Sequence, residues 1–290
     1  MNITPKGERT FHFINHVLLA VLAMMALYPF IYVLMASVSS GDAVRMGKVL
    51  LLPKEANIEA YKRVLMQKGL WIAYGNTIFY TVAGTLVNML FTVTGAYALS
   101  KKRLIGKKFF NLMIAFTMWF NAGMIPFYLN LRDLNLTDKR LGILIAFACQ
   151  AFNVILLRNY FEAVPSSLEE AAKIDGANEL QVLWKIYLPL SKPALTTVGL
   201  FYAINRWNGY FWAMILLTDE KKVPLQVLLK KLIIQMDITE EMLGALNTTV
   251  YSIETIVYAT IVISIIPIVL VYPYIQKYFT KGVMLGGVKE

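Results

Sequence analysis

Long apolar runs constrain this chain more than any other feature. Six of them lie near residues 16–38, 72–99, 109–129, 141–160, 193–217 and 254–276. A helix needs roughly 20 apolar residues to cross the hydrocarbon layer, and each run provides about that length. A segment in lipid must satisfy its own backbone hydrogen bonds, so such runs read as α-helices. The wider composition agrees. Charged residues are 16% of the 290, against the roughly 25% of soluble domains, and apolar residues are 58%. Mean hydropathy is +0.57. The expected class is an all-α membrane protein with six transmembrane helices. The second run carries Gly75, Gly84 and Gly95 with Asn76, Asn88 and several threonines. Small residues allow close helix approach and polar ones bond between helices, which places this span inside a bundle. Pro29 is expected to kink the first span, and NAGMIP at 121–126 to break the third.

One polar stretch interrupts this pattern, PSSLEEAAKIDGANELQVLWKIYLP at 165–189. Ser166 and Glu169 have capping-box spacing, and so do Asn178 and Gln181. Gly176 between them is the natural left-handed stop. Leu180, Leu183, Trp184 and Tyr187 follow at roughly helical period, and Pro189 and Pro193 are expected to end the second helix. Two short helices with this many charges cannot lie in hydrocarbon. They are expected on the membrane surface, presenting a knob to a partner.

The loop KKRLIGKK at 101–108 is short, basic and free of acids, so it is assigned to the cytoplasm. Six spans then put both termini and residues 161–192 on that side. The resulting division is a cytoplasmic N-terminus (1–15), a six-span domain (16–276) containing the 161–192 loop, and a cytoplasmic tail (277–290).

Several functions find no support. The net charge of +10 is scattered among loops and does not point to nucleic acid. The single cysteine, Cys149, sits in an apolar run and reads as a small core residue. His12 and His16 stand four apart without a third ligand nearby, and read as interfacial polar residues. No phosphate-binding loop is present: Gly106-Lys107-Lys108 lacks the earlier glycine and the hydroxyl. This chain is therefore not expected to hydrolyse ATP itself, and no cofactor or metal is expected in it. Within the first apolar run, bulky Tyr28-Pro29-Phe30 stands where a small-residue cleavage site would be needed, so that span is expected to stay. The readings from other classes are a membrane-embedded glycolipid-processing enzyme and an ion-coupled secondary transporter. Both want ionisable groups within the spans, where Arg206 stands nearly alone.

The polar stretch also carries a resemblance. Glu170-Ala171-Ala172, Asp175-Gly176-Ala177 and Leu188-Pro189 resemble the EAA loop of ABC-importer permease subunits, with Leu183 where that family usually has Phe. NIEAYKRVL, GNTIFYTVAGTLVNMLFTVTGAYALSKK, NAGMIPFYLNLRDLNLTD, WNGYFWAMILL and KGVMLGGVKE resemble the carbohydrate-uptake group, over nearly the whole chain. Within it the chain is similar to the smaller permease of the maltose type and to permeases for polysaccharide fragments. The resemblance implies a type I importer architecture in a bacterial inner membrane. It also implies a second permease as heterodimer partner, two ATPase subunits, an extracytoplasmic solute-binding protein and alternating access driven by ATP. Glu169, Glu170, Ala171, Ala172, Asp175, Gly176, Ala177 and Leu183 would then couple to the ATPase, and the glycine-containing tail would reach between the ATPase subunits.

A sugar pathway needs amides for hydroxyls and flat rings for the apolar faces of pyranoses. Asn205, Arg206, Trp207, Asn208, Tyr210 and Trp212 in the fifth run supply both. Arginine matches a carboxylate with two parallel hydrogen bonds, so Arg206 points to an acidic oligosaccharide such as an alginate- or pectin-derived fragment. A cation in a span must find water or a counter-charge, and the spans offer only Glu254, at the edge of the sixth.

Overall fold

The computed structural model describes residues 6–242 and 252–287. Among these residues every regular element is a helix. The chain divides into two compact units, one made of Met1–Lys68 and Leu229–Pro267, the other of Gly69–Leu228 and Ile268–Glu290.

In the first unit α1 (Lys6–Ser37) runs unbroken past Pro29. Its apolar side chains stay exposed along most of its length, as suits a helix whose surroundings are lipid or another subunit. His16 bonds the carbonyl of His12 within the same helix. At the end of α1, Ala36 packs against Ala43 and Val44 of α2 (Gly41–Arg45) and against Val49. Ser40 caps α2 by accepting the N–H of Ala43. The amphipathic segment after Asn57 forms α3 (Glu59–Met66), fixed by a bond between Tyr61 and Ser37 at 2.7 Å.

The second unit is built on α4 (Lys68–Ser100), followed by α5 (Lys107–Trp119), α6 (Met124–Asp133), α7 (Arg140–Ala146) and α8 (Ala151–Glu162). Next come α9 (Ser166–Ile174), α10 (Glu179–Val182), a π-helical turn Leu183–Tyr187, α11 (Leu188–Leu190), α12 (Lys192–Asn208) and α13 (Phe211–Leu216). α14 (Leu225–Met242) and α15 (Ile253–Gly287) complete the chain.

The spans differ from the sequence reading in continuity. Among the described residues three helices, within α1, α4 and α15, are long and apolar enough to cross a membrane unbroken. The third run is bent by 116° between α5 and α6, at the expected NAGMIP, where Gly123 has φ +91. The fourth run, expected as one helix over 141–160, is instead bent by 52° between α7 and α8. The fifth, expected over 193–217, stops at Asn208 and restarts at Phe211. The sixth does not stop at 276. Its helix runs past Pro267 and Pro273 and continues through Gly287. The proposed tail therefore starts as helix, and residues 288–290 lie outside the described residues.

At one end of the second unit, side chains of α4 fasten the segment after α13. Asn76 donates to the carbonyls of Lys221 and Val223 at 2.8 and 3.0 Å, and its own carbonyl accepts from Arg140 at 2.9 Å. Tyr80 donates to the carbonyl of Lys222, and Thr77 accepts the N–H of Leu225. Asp138 accepts the N–H groups of Thr218 and Asp219, and these bonds, with Lys222, hold its carboxyl below the usual range. Beside this knot, α7 passes close to residue 136. A Cβ on Gly142 would lie 2.1 Å from the Leu136 carbonyl oxygen, whereas one on Gly75 would meet nothing within 4 Å. Gly142→Ala is expected to cost about 1–3 kcal/mol or more through forced overpacking. Gly75→Ala should fall within about 1 kcal/mol of wild type. Thermal unfolding of the detergent-solubilised chain distinguishes the two.

Candidate functional site

The 161–192 loop is held by two devices. The first is local. α9 closes with the N–H of Ala177 bonding the Ala172 carbonyl at 2.9 Å and that of Gly176 bonding the Lys173 carbonyl at 3.0 Å, while Gly176 takes φ +81. This is the Schellman arrangement, and it needs a residue that tolerates positive φ. α10 then opens with a reciprocal capping box: the Asn178 side chain accepts from Gln181 N–H at 2.9 Å, and Gln181 accepts from Asn178 N–H at 2.8 Å.

The second device is tertiary. Glu169 does not close a capping box with Ser166, because α9 starts at Ser166 itself behind Pro165 and has no side-chain cap. Its carboxylate turns inward and accepts from Lys101 at 2.5 Å, Lys173 at 2.6 Å and Tyr187 at 2.7 Å. The Lys101 ammonium also lies over the rings of Tyr97 and Tyr187, 4.0 and 3.9 Å from their centroids. Glu179 completes the group, accepting from Tyr97 at 2.9 Å and pairing with Arg103. Burial pushes the Glu169 carboxyl up, but hydrogen bonds from Lys101, Lys173 and Tyr187 outweigh it and hold it at about 2. Burial likewise raises the Tyr187 hydroxyl, and its bond to Glu169 adds to that. Burial pulls the Lys101 ammonium down, against the pull of Glu169. Loop 101–108 and loop 161–192 are thus bound to one another.

Leu183, which the resemblance assigns to ATPase coupling, does not lie on the outer face of the loop: it is buried in a core with Val182, Tyr187, Leu157 and Phe161. Pro189 does not end the second helix either. The π turn Leu183–Tyr187 lets the N–H of Leu188 reach the Leu183 carbonyl, which re-registers the helix ahead of the proline ring. The helix breaks at Ser191. The side chains that do face outward are Glu170, Ala171 and Asp175, together with Ile174, Leu180 and Trp184. Ala172 and Ala177 pack against the core.

The second site is a cavity of about 280 Å³ where α12 ends. Asn205, Arg206, Asn208, Tyr210 and Trp212 line it. Trp207 is not among the lining residues, and its indole N–H is buried without a partner among the described residues. Phe147 and Trp212 form a ring pair at 5.8 Å beside it, and both pack on Phe127. Arg206 donates to the Asn88 side chain at 2.9 Å and to the carbonyls of Ile143, Leu144 and Phe147 at 2.5, 2.9 and 3.1 Å. Its need for a partner is met by an amide and three backbone carbonyls, so no carboxylate is required.

Comparison with known proteins places this geometry. The model of the family described as "Binding-protein-dependent transport system inner membrane component" matches residues 68–285. The chain belongs to this family. It is 40% identical to the polygalacturonan/rhamnogalacturonan transport system permease protein YtcP of Bacillus subtilis, over 97% of this chain and 99% of that one. It is 37% identical to the protein LplC of the same organism, covering 98% and 96%. A chain from the crystal structure of a bacterial ABC transporter involved in import of the acidic polysaccharide alginate superposes with TM-score 0.90. That chain is 58% identical, with 96% of this chain and 100% of that one covered. The protein is therefore a permease subunit of an ABC importer, an all-helical inner-membrane component. Membership sets aside the enzyme and ion-coupled readings.

In this permease the roles of Tyr97, Lys101, Arg103, Glu179 and Tyr187 in holding the loop escaped the sequence reading. They come from two distant stretches, 97–103 and 179–187, and only the basic run 101–108 and the place of Tyr187 in a helical pattern gave any signal. The Glu169 carboxyl at about 2 lies below the roughly 4.3 of an unfolded glutamate. A depressed carboxylate stabilises the fold above its unfolded value and loses that contribution as pH falls through its folded value. Glu169→Gln should therefore cost about 1.5–3 kcal/mol at pH 7. The gap in thermal midpoint between variant and wild type should close as pH falls from about 4 towards 2. A gap that is constant with pH would assign the loss to packing.

Proposed function

We propose that this permease carries oligosaccharides derived from acidic polysaccharides, received from an extracytoplasmic binding protein, through a path that includes the cavity at the end of α12. The observation that carries the substrate class is the 58% identity to a chain of an importer involved in alginate uptake. The 40% identity to a polygalacturonan/rhamnogalacturonan permease supports it. Asn205, Asn208 and Tyr210 offer hydrogen bonds to hydroxyls, and Trp212 a flat face, within one lining. Arg206 gives weaker support for an anion than its residue type suggests, since four of its N–H bonds are already committed.

The partners of this reading are a second permease and two ATPase subunits. The ATPases bind ATP and magnesium, and this chain needs no cofactor. In this reading the chain crosses the membrane six times, with the interrupted fifth run counted as a crossing, and both termini and residues 161–192 lie in the cytoplasm. The contact between loops 101–108 and 161–192 supports a common side for the two. Glu169 and Leu183 act from within, holding the loop. Glu170, Ala171 and Asp175, with the turn at Gly176, face the ATPase, and Ala172 and Ala177 seat the turn on the core.

Reconstituted with its partners, the complex should accumulate uronate trisaccharides in proteoliposomes only with ATP. A neutral trisaccharide transported with equal efficiency would remove the acidic assignment. Gly176→Val, which resists positive φ, should reduce uptake about tenfold or more, whereas Gly176→Asn should retain most of it. Labelling of Lys102→Cys from the cytoplasmic side alone is expected, and labelling from outside alone would invert the topology.

A further inference from the structure

The fourth span breaks inside the second unit, and the groups it exposes are met by a set of side chains in register. α7 ends at Ala146 and α8 begins at Ala151. The last carbonyls of a helix have no partner in that helix, and in hydrocarbon each one left bare costs several kcal/mol. Arg206 donates to two carbonyls in the last turn of α7, those of Ile143 and Leu144, and to that of Phe147 in the break. Four residues earlier on α12, and so on the same face, the Tyr202 hydroxyl accepts the N–H of Gln150 at 3.1 Å, on the α8 side of the break. A second pair, four apart on α4, backs the first. Asn88 accepts from Arg206 and donates to the Phe147 carbonyl, and Thr92 bonds Tyr202 at 2.6 Å. Asn88 and Thr92 are fully buried, and Tyr202 nearly so. Gly84 leaves room for the guanidinium: a Cβ there would lie 2.7 Å from Arg206 Nε and 2.9 Å from its Cδ.

We infer that Asn88, Thr92, Tyr202 and Arg206 form a polar clasp that holds the broken fourth span bent, and that Arg206 is a positioning residue for the sugar path rather than the receptor of the sugar's carboxylate. The break sets the wall of the cavity, because Phe147 and Gln150 within it are lining residues. The clasp depends on the planar fork of arginine, which reaches one amide and three carbonyls at once. A lysine keeps the charge but lacks that geometry. The inference rests on the cavity's belonging to the oligosaccharide path proposed above.

The test measures ATPase activity of the whole reconstituted complex, with its binding protein loaded with a mannuronate trisaccharide. The readout is the ratio of stimulated to basal rate, which cancels the amount of folded complex. Arg206→Lys and Arg206→Met should lose stimulation equally, by about tenfold or more, since small misplacements of a path wall have large effects. Gly84→Ala, which keeps the arginine but displaces its side chain, should resemble them. Tyr202→Phe removes one hydroxyl and should cost about threefold. A lysine variant that keeps wild-type stimulation while the methionine variant loses it would assign the role to charge and overturn the clasp. Wild-type ratios in Gly84→Ala and Tyr202→Phe would also overturn it, and these two variants decide the matter if the Arg206 variants fail to assemble. Failure of the sugar-path reading looks different: the wild-type complex itself would show no stimulation by the loaded binding protein.

Discussion

A guanidinium in a membrane span is costly, and so is a helix end whose carbonyls face hydrocarbon. In this permease each is satisfied by the other. Arg206 on α12 donates to carbonyls at the broken end of α7, and Asn88 on α4 shares the Phe147 carbonyl with it. Three separate stretches of chain are tied at one point. The break can persist because its carbonyls are satisfied, and the arginine is tolerated because its donors are filled. The cavity beside it, with Asn205, Asn208 and Tyr210 on its lining, depends on that bend.

At the loop end the same logic works with ions. Glu169 would be an exposed helix carboxylate if α9 stood alone. Packed against the end of α4, it gathers Lys101, Lys173 and Tyr187, and Lys101 sits between two tyrosine rings. Exposed ion pairs contribute little, but this one is largely sheltered and its lone pairs are filled by good donors. The loop that displays Glu170, Asp175 and Ile174 is therefore fixed to a transmembrane helix.

Much of the loop's local form could be read from residues alone. Gly176 at positive φ and the Asn178–Gln181 box follow from short-range chemistry, which sequence spacing encodes directly. Ser166–Glu169 has the same spacing but no capping bond forms there: the helix already starts at Ser166 behind Pro165, and Glu169 meets Lys101, Lys173 and Tyr187 instead. Leu183 shows the same limit. Its place in a helical pattern said that it would be buried, but not whether by this chain or by another.

The sequence by itself determined that this protein is helical and membrane-bound, because a long apolar run in lipid has one way to satisfy its backbone. It also marked the 161–192 loop and the NAGMIP break, where glycine, proline and capping residues act within a few positions. It did not reveal the bend in the fourth span or the carbonyls that Arg206 meets. Nothing between Ile145 and Ala151 forbids a helix. That span bends because side chains on α4 and α12, more than fifty residues away, stabilise the exposed backbone of the break. Only the tertiary structure brings those donors to the carbonyls that need them.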